Sequence, residues 1–153
     1  MTIKDLVKDP DIDQHKKLNK RFNDFEKLIN ALKKREIPSE IVNTINRDID
    51  EINAFSGSHK ELSNHLSKTQ YNLLKLIEKE LKLVTKNHYR NMWMAVGMAA
   101  FGISFGVAFG VSLGNMAYIG IGIPIGMAIG IGVGTAMDKK AIDKGNQLDL
   151  EFK

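Results

Sequence analysis

The 153-residue sequence has no cysteine, which excludes disulfide bonds and thiolate-bound metals as sources of stability. Formal charge is missing from one long stretch, because the 47 residues between Arg90 and Asp138 include no Lys, Arg, Asp or Glu. A relay or transport site built on buried charge is therefore excluded from that stretch. The first residues are polar and no apolar run follows them, so we expect no cleavable secretory signal and an N-terminus in the cytoplasm.

The sequence also lacks the residue patterns of an enzyme active site. No two of the histidines His15, His59, His65 and His88 lie four residues apart, so surface positions are expected rather than metal ligation. The glycines of residues 130–134 are not followed by the Lys-Ser/Thr of a phosphate-binding loop. Basic runs alternate with acids, which favours solvated helix faces or contact with anionic lipid over nucleic acid. We expect no catalytic residue, cofactor, metal or nucleic-acid partner.

Three amphipathic helices are predicted in a cytoplasmic domain of residues 1–90. Apolar residues recur at intervals of three and four in residues 11–36 and again in residues 42–52. Ser58 and Glu61 have the Ser-x-x-Glu form of a capping box, which predicts the start of a third helix of about 26 residues. The three helices could form a small bundle, a coiled coil that joins subunits, or both.

Two stretches of the uncharged segment are long enough to cross a membrane. Residues 92–113 and 117–137 supply 22 and 21 residues, and a membrane-spanning helix needs roughly 20. The short loop 114–116 would join them into a transmembrane hairpin that occupies residues 91–137. Residues 138–153 then form a cytoplasmic tail. The predicted class is all-α, with a helical domain followed by a transmembrane helical hairpin.

The residues that flank the two spans predict their orientation. Aromatic side chains are enriched at membrane interfaces, and Lys and Arg are enriched on the cytoplasmic side. The interface residues predicted on this basis are Tyr89, Arg90, Trp93, Lys139 and Lys140. Because the loop between the spans carries no charge, both termini are predicted to be cytoplasmic.

Glycine is concentrated in the uncharged segment and recurs there every four residues. Eleven of the thirteen glycines lie between Gly97 and Gly134. The two rows are Gly102, Gly106, Gly110 and Gly114, and then Gly122, Gly126, Gly130 and Gly134. Small residues at this spacing allow the close backbone contact by which helices associate in lipid. These eight glycines are the predicted helix-packing residues.

This pattern resembles the glycine-zipper membrane proteins. The stretch from HYRNMWMAVGMAAFG to GTAMDKK also resembles uncharacterised small bacterial membrane proteins with a soluble helical N-terminal part. The resemblance implies tight packing of membrane helices and a location in the bacterial inner membrane. It implies no particular activity.

Small and large residues alternate in residues 101–114 and 119–136, except that Pro124 takes a small position and Thr135 a large one, so each helix has a second small face nearly opposite the first. The second faces hold Ala100, Ser104, Ala108 and Ser112, and then Gly120, Ala128, Gly132 and Ala136. One face can receive the other helix of the hairpin and the second a neighbouring copy, so we expect a homo-oligomer. Alternation is also typical of β-strands, but the spans are too long and their small faces too apolar for a barrel.

The sequence leaves three functions open for such an oligomer. A closed ring of subunits tends to leave space along its central axis. This favours a pore or channel regulated by the cytoplasmic helices, with Ser104 and Ser112 lining the pore. The alternatives are a non-conducting scaffold that binds an unknown cytoplasmic protein, and a membrane-damaging effector. The predicted partners are other copies of the chain, membrane lipid and such a cytoplasmic protein.

Overall fold

A computed structural model describes residues 2–152 of the chain. Within them regular structure is helical, and the only β-type pairing is a single bridge between Val84 and Gln147. The all-helical class is therefore confirmed, and the β-strand interpretation of the alternating residues is wrong. The described residues divide into two compact units, one of residues 2–82 with residue 152 and the other of residues 83–151.

Three α-helices build the first unit. A 3₁₀ turn at Pro10–Gln14 precedes them, and their bounds are α1 Lys16–Leu32, α2 Ser39–Asn53 and α3 His59–Leu81. Each helix buries an apolar stripe, with Phe25, Ile45 and Leu66 at 0% exposure. Burial of one such side chain contributes roughly 1.5–3 kcal/mol, so these stripes are the main source of stability in this unit.

The predicted capping box begins α3. The Ser58 hydroxyl oxygen accepts the Glu61 N–H at 3.4 Å, and the Glu61 carboxylate accepts the Ser58 N–H at 2.9 Å. The same carboxylate accepts the Ser58 hydroxyl at 2.7 Å. The hydrogen bond from the Ser58 hydroxyl, and to a lesser extent the one from the Ser58 N–H, lower the pKa of Glu61 below its ordinary value because they favour the ionised form.

The second unit is dominated by two apolar helical segments. Its α-helices are α4 His88–Gly97, α5 Ile103–Ser112 and α6 Ile119–Asp143. A π-helical turn at Met98–Gly102 joins α4 to α5, and a 3₁₀ turn at Met116–Tyr118 leads into α6. The segments His88–Ser112 and Met116–Asp143 are long and apolar enough to cross a membrane. The first segment begins four residues before the predicted span 92–113 and ends one residue short of it, and the second extends beyond the predicted span 117–137 at both ends.

Large apolar side chains on these segments point away from the rest of the unit. Ile103 is 56% exposed and Ile121 is 48% exposed, whereas most of the glycines between the two segments are buried. This is the reverse of a water-soluble core, and it is the distribution that suits a lipid environment. α6 continues through Pro124 without ending.

Candidate functional site

Four of the six glycines of α6 lie directly against the backbone of the other apolar segment. A Cβ atom added to Gly122 would lie 2.1 Å from the Gly102 carbonyl oxygen, and one added to Gly126 would lie 2.4 Å from the Gly102 nitrogen. Real Cβ atoms essentially never come this close to backbone atoms. Only glycine fits at these positions. We call this contact the glycine seam; its buried members are Gly97, Gly102, Gly106, Gly110, Gly122, Gly126, Gly130 and Gly134.

The glycine seam extends to the first turn of α4. A Cβ atom on Gly130 would lie 2.1 Å from the Trp93 carbonyl oxygen, and one on Gly134 would lie 2.4 Å from the Tyr89 carbonyl oxygen. The predicted row of α6 is therefore in backbone contact along its whole length. This antiparallel contact lies within a single chain.

Gly97 belongs to the glycine seam although the four-residue rows did not include it. Gly97 and Gly102 are five residues apart, and in a regular α-helix residues five apart differ by about 140° around the axis. The π-helical turn at Met98–Gly102 widens the helix locally and brings both glycines to the same face. A Cβ atom on Gly126 would accordingly lie 2.4 Å from both the Gly97 oxygen and the Gly102 nitrogen.

Gly114, the last glycine of the predicted first row, lies outside the glycine seam. Nothing lies within 4 Å of its Cβ position, and its φ of +65° is a left-handed conformation that favours glycine. The next residue, Asn115, donates its N–H to the Gly110 oxygen at 3.0 Å and reverses the chain. Gly114 therefore ends the helix rather than packing it.

Asp138 continues the row of α6 one step past Gly134 and caps α4. Its carboxylate is buried, with 6% of the residue exposed, and it accepts the N–H of Tyr89 and the N–H of Arg90, each at 3.0 Å. Asn87, the residue before α4, makes no side-chain cap. An anionic acceptor at this end satisfies two otherwise unpaired donors and interacts favourably with the helix dipole.

The predicted membrane-interface residues gather at the same end. Arg90 and Lys139 line a cavity of about 250 Å³ together with Lys86. Lys140, the residue after Lys139, is exposed. Lys86 forms an ion pair with Asp149, and this partner's hydrogen bond raises the pKa of Lys86 above its ordinary value.

The predicted interface also includes two aromatic residues. Tyr89 and Trp93 are both half-buried. The Trp93 indole Nε1 is buried without a hydrogen-bond partner in the described part of the chain. Both residues face the glycine seam through their carbonyl oxygens.

The predicted pore-lining serines lie on the exposed side of the first segment. The Ser104 hydroxyl donates to the Ala100 carbonyl oxygen of its own helix at 2.8 Å. Ser112 is exposed at the end of α5. On α6, the positions of Gly120 and Gly132 are open, with nothing within 4 Å of an added Cβ atom. The second small faces are therefore free of contacts within the chain at these glycines.

No protein-family model, no curated protein and no solved structure matches this chain.

Proposed function

We propose that the protein is an integral membrane protein whose two apolar segments cross the bilayer as a glycine-zipper hairpin. The observation that carries the proposal is the glycine seam, in which backbone lies against backbone and the large apolar side chains face outward. In lipid, helices associate through such close contact because no strong hydrophobic force drives them together. The flanking basic residues support cytoplasmic termini, and the resemblance to glycine-zipper membrane proteins supports a bacterial inner membrane.

The outward face of α6 supports assembly into a homo-oligomer. We call this face the outward row. It consists of the exposed residues Gly120, Pro124, Ala128, Gly132 and Ala136. Pro124 has no N–H, so the Gly120 carbonyl lacks its regular helical donor. An unpaired carbonyl in hydrocarbon is costly, and neighbouring helices commonly supply the missing partner. A second copy of the chain that packs on the outward row would cover both the small residues and this carbonyl.

Among the functions open to such an assembly, we favour a non-conducting membrane scaffold that presents the first unit to a cytoplasmic partner. The outward row has no polar side chain, and the Ser104 hydroxyl is already bonded to its own helix. A hydrated ion pathway is usually lined by carbonyl groups, charged rings or polar side chains. A packed interface between copies needs none of these.

A channel is the second candidate, and the exposed face shared by Ser104 and Ser112 favours it. The Ser104 hydroxyl is the polar side chain nearest to the middle of the first segment, and Ser112 is the last residue of that segment. A ring of copies that turned this face toward its axis would have a narrow and weakly polar lumen.

One experiment tests the assembly and separates the two candidates. The mass of the protein in nanodiscs would be measured for the natural chain, for Gly132→Leu and for Ile129→Leu, which alters an exposed position that is already large. We expect a wild-type oligomer, loss of it in Gly132→Leu and retention in Ile129→Leu. A monomeric wild-type protein would contradict the proposal. Ion flux from proteoliposomes above that of empty vesicles would favour the channel over the scaffold.

A further inference from the structure

Three side chains of the first unit with metal-ligand chemistry lie together. One ligand atom from each of Asp11, His15 and His59 lies within 4.8 Å of the other two. The Asp11 Oδ2 and His59 Nε2 atoms are 2.9 Å apart, and the rings of His15 and His59 have centroids 4.0 Å apart. The two histidines are exposed, as the sequence predicted, but they are not separate from each other.

The local backbone fixes two of these ligands. Asp11 lies within the 3₁₀ turn, and His15, four residues later, is the residue that ends it. The Asp9 carboxylate accepts the Asp11 N–H at 2.9 Å, and the His15 N–H donates to the Ile12 oxygen at 3.1 Å. Ile12 is 3% exposed and anchors the turn in the apolar core. The turn therefore presents both side chains on one side of a restrained backbone.

The third ligand comes from a different part of the chain. His59 is the first residue of α3, directly after Ser58. The reciprocal capping box of Ser58 and Glu61 holds this helix end in place. The imidazole of His59 thus meets the turn from a second restrained element, and such restraint of the backbone is what a metal site needs.

We propose that Asp11, His15 and His59 bind a divalent transition-metal ion of the zinc class. Two imidazole nitrogens with one carboxylate oxygen form a donor set suited to zinc and its neighbours, whereas calcium and magnesium prefer oxygen ligands alone. Zinc ligands lie about 2.0–2.2 Å from the ion, so two of them are about 3.4 Å apart in a tetrahedral site. Small side-chain rotations bring the three donors to that spacing, and water completes the coordination because the cluster is exposed.

A bound ion would connect the N-terminal turn to the start of α3. These two segments are 44 residues apart in sequence, taking His15 and His59 as the ends. An ion that binds the folded arrangement and not the unfolded chain stabilises the fold by an amount that grows with the logarithm of the ion concentration above its Kd. The site therefore acts as a metal-dependent cross-link of the first unit and does not depend on the function proposed for the hairpin.

Calorimetric titration of the tag-free full chain in nanodiscs with zinc chloride tests this site. We expect zinc to bind the natural chain, and His15→Ala and His59→Ala each to weaken the affinity about tenfold or more, since loss of even outer partners of a metal site costs 10- to 100-fold. His88→Ala is the matched control and should bind as the natural chain does. Magnesium chloride should give no binding.

A thermal measurement on the same samples provides a second readout. Zinc should raise the midpoint temperature of thermal unfolding, followed by the helical circular-dichroism signal, in the natural chain and in His88→Ala but not in His59→Ala. Equal helical content before titration shows that each variant is folded, as expected for exposed side chains. Absence of zinc binding to the natural chain, or equal affinity in His59→Ala and His88→Ala, would overturn the proposal.

Discussion

Asp138 on α6 caps the first turn of α4, because its carboxylate Oδ2 accepts the backbone N–H of Arg90 at 3.0 Å. The other oxygen accepts the N–H of Tyr89. Asp138 occupies the place where the next glycine of the row would stand, so contact by glycine gives way to a charge-assisted hydrogen bond at the end of the hairpin. The cap fixes the register between the two apolar segments at the end where the chain enters and leaves the hairpin.

Replacement of Asp138 should loosen this end of the hairpin. We expect Asp138→Ala to lower the free energy of unfolding by about 0.5–2 kcal/mol, the range for loss of a helix cap. Hydrogen exchange at the Tyr89 and Arg90 amides should become faster, because both amides lose their acceptor. The measurement is hydrogen exchange by mass spectrometry in detergent micelles.

Asp143→Ala is the matched control for this substitution. Asp143 is the last residue of α6 and is exposed. Its replacement should leave exchange at Tyr89 and Arg90 unchanged. Equal exchange rates in Asp138→Ala and in the natural chain would show that the carboxylate does not protect these amides.

The sequence contained most of the signal for the hairpin. The four-residue spacing identified the glycines of α6, and continuing it by one step reaches Asp138. The sequence pattern marks Asp138 only as the charge that ends the uncharged segment, at the start of the predicted cytoplasmic tail. Its partners are backbone N–H groups, which no side-chain pattern reveals.

Other parts of the arrangement depend on structure that the sequence does not encode locally. Gly97 is out of register with Gly102 unless a π-helical turn lies between them, and regular helical spacing therefore missed it. His59 joins Asp11 and His15 only after the first unit folds, so spacing rules for metal ligands missed this cluster. The presence of the helices was predictable from their periodicity, but their exact ends were not. α3, for example, ends at Lys82, whose φ of 57° is a left-handed conformation that the sequence does not indicate.

The two small faces of α6 should respond differently to the same substitution. Gly126→Ala places a Cβ atom 2.4 Å from backbone atoms of the opposing segment, so the helices must separate. Overpacking of this kind costs about 1–3 kcal/mol, and we expect that loss in the unfolding free energy of the hairpin. Gly132→Ala adds its Cβ atom to open space and should leave the hairpin at least as stable. Unfolding titrations in mixed micelles would compare the two, and equal losses would contradict the assignment of faces.

The capping box of α3 should make this helix start sensitive to acid. The lowered pKa of Glu61 means that its ionised form is favoured in the folded state. The stabilisation is therefore present above the unfolded carboxyl pKa of about 4.3 and is lost as the pH falls through the folded value. In Ser58→Ala the pKa of Glu61 should rise toward its ordinary value, because the largest contribution comes from the Ser58 hydroxyl.

Carbon-detected NMR titration of the Glu61 carboxyl group would measure this shift. Ser56→Ala is the control, since Ser56 is exposed and lies outside the capping box. An unchanged Glu61 pKa in Ser58→Ala would show that the hydroxyl does not bind the carboxylate in solution.

The π-helical turn predicts an unusual tolerance of deletion. Removal of Ala99 shortens the interval from Gly97 to Gly102 from five residues to four, so a regular α-helix would then place both glycines on the same face. We expect this variant to keep the hairpin and to replace the π-helical turn with an α-helical one. Removal of Ala128 is the matched control, because α6 is α-helical there and the deletion would turn Gly122 and Gly126 about 100° away from Gly130 and Gly134. Unfolding titrations should show a stable hairpin without Ala99 and an unstable one without Ala128. If both deletions destabilise the hairpin equally, the five-residue interval is not what positions Gly97 in the glycine seam.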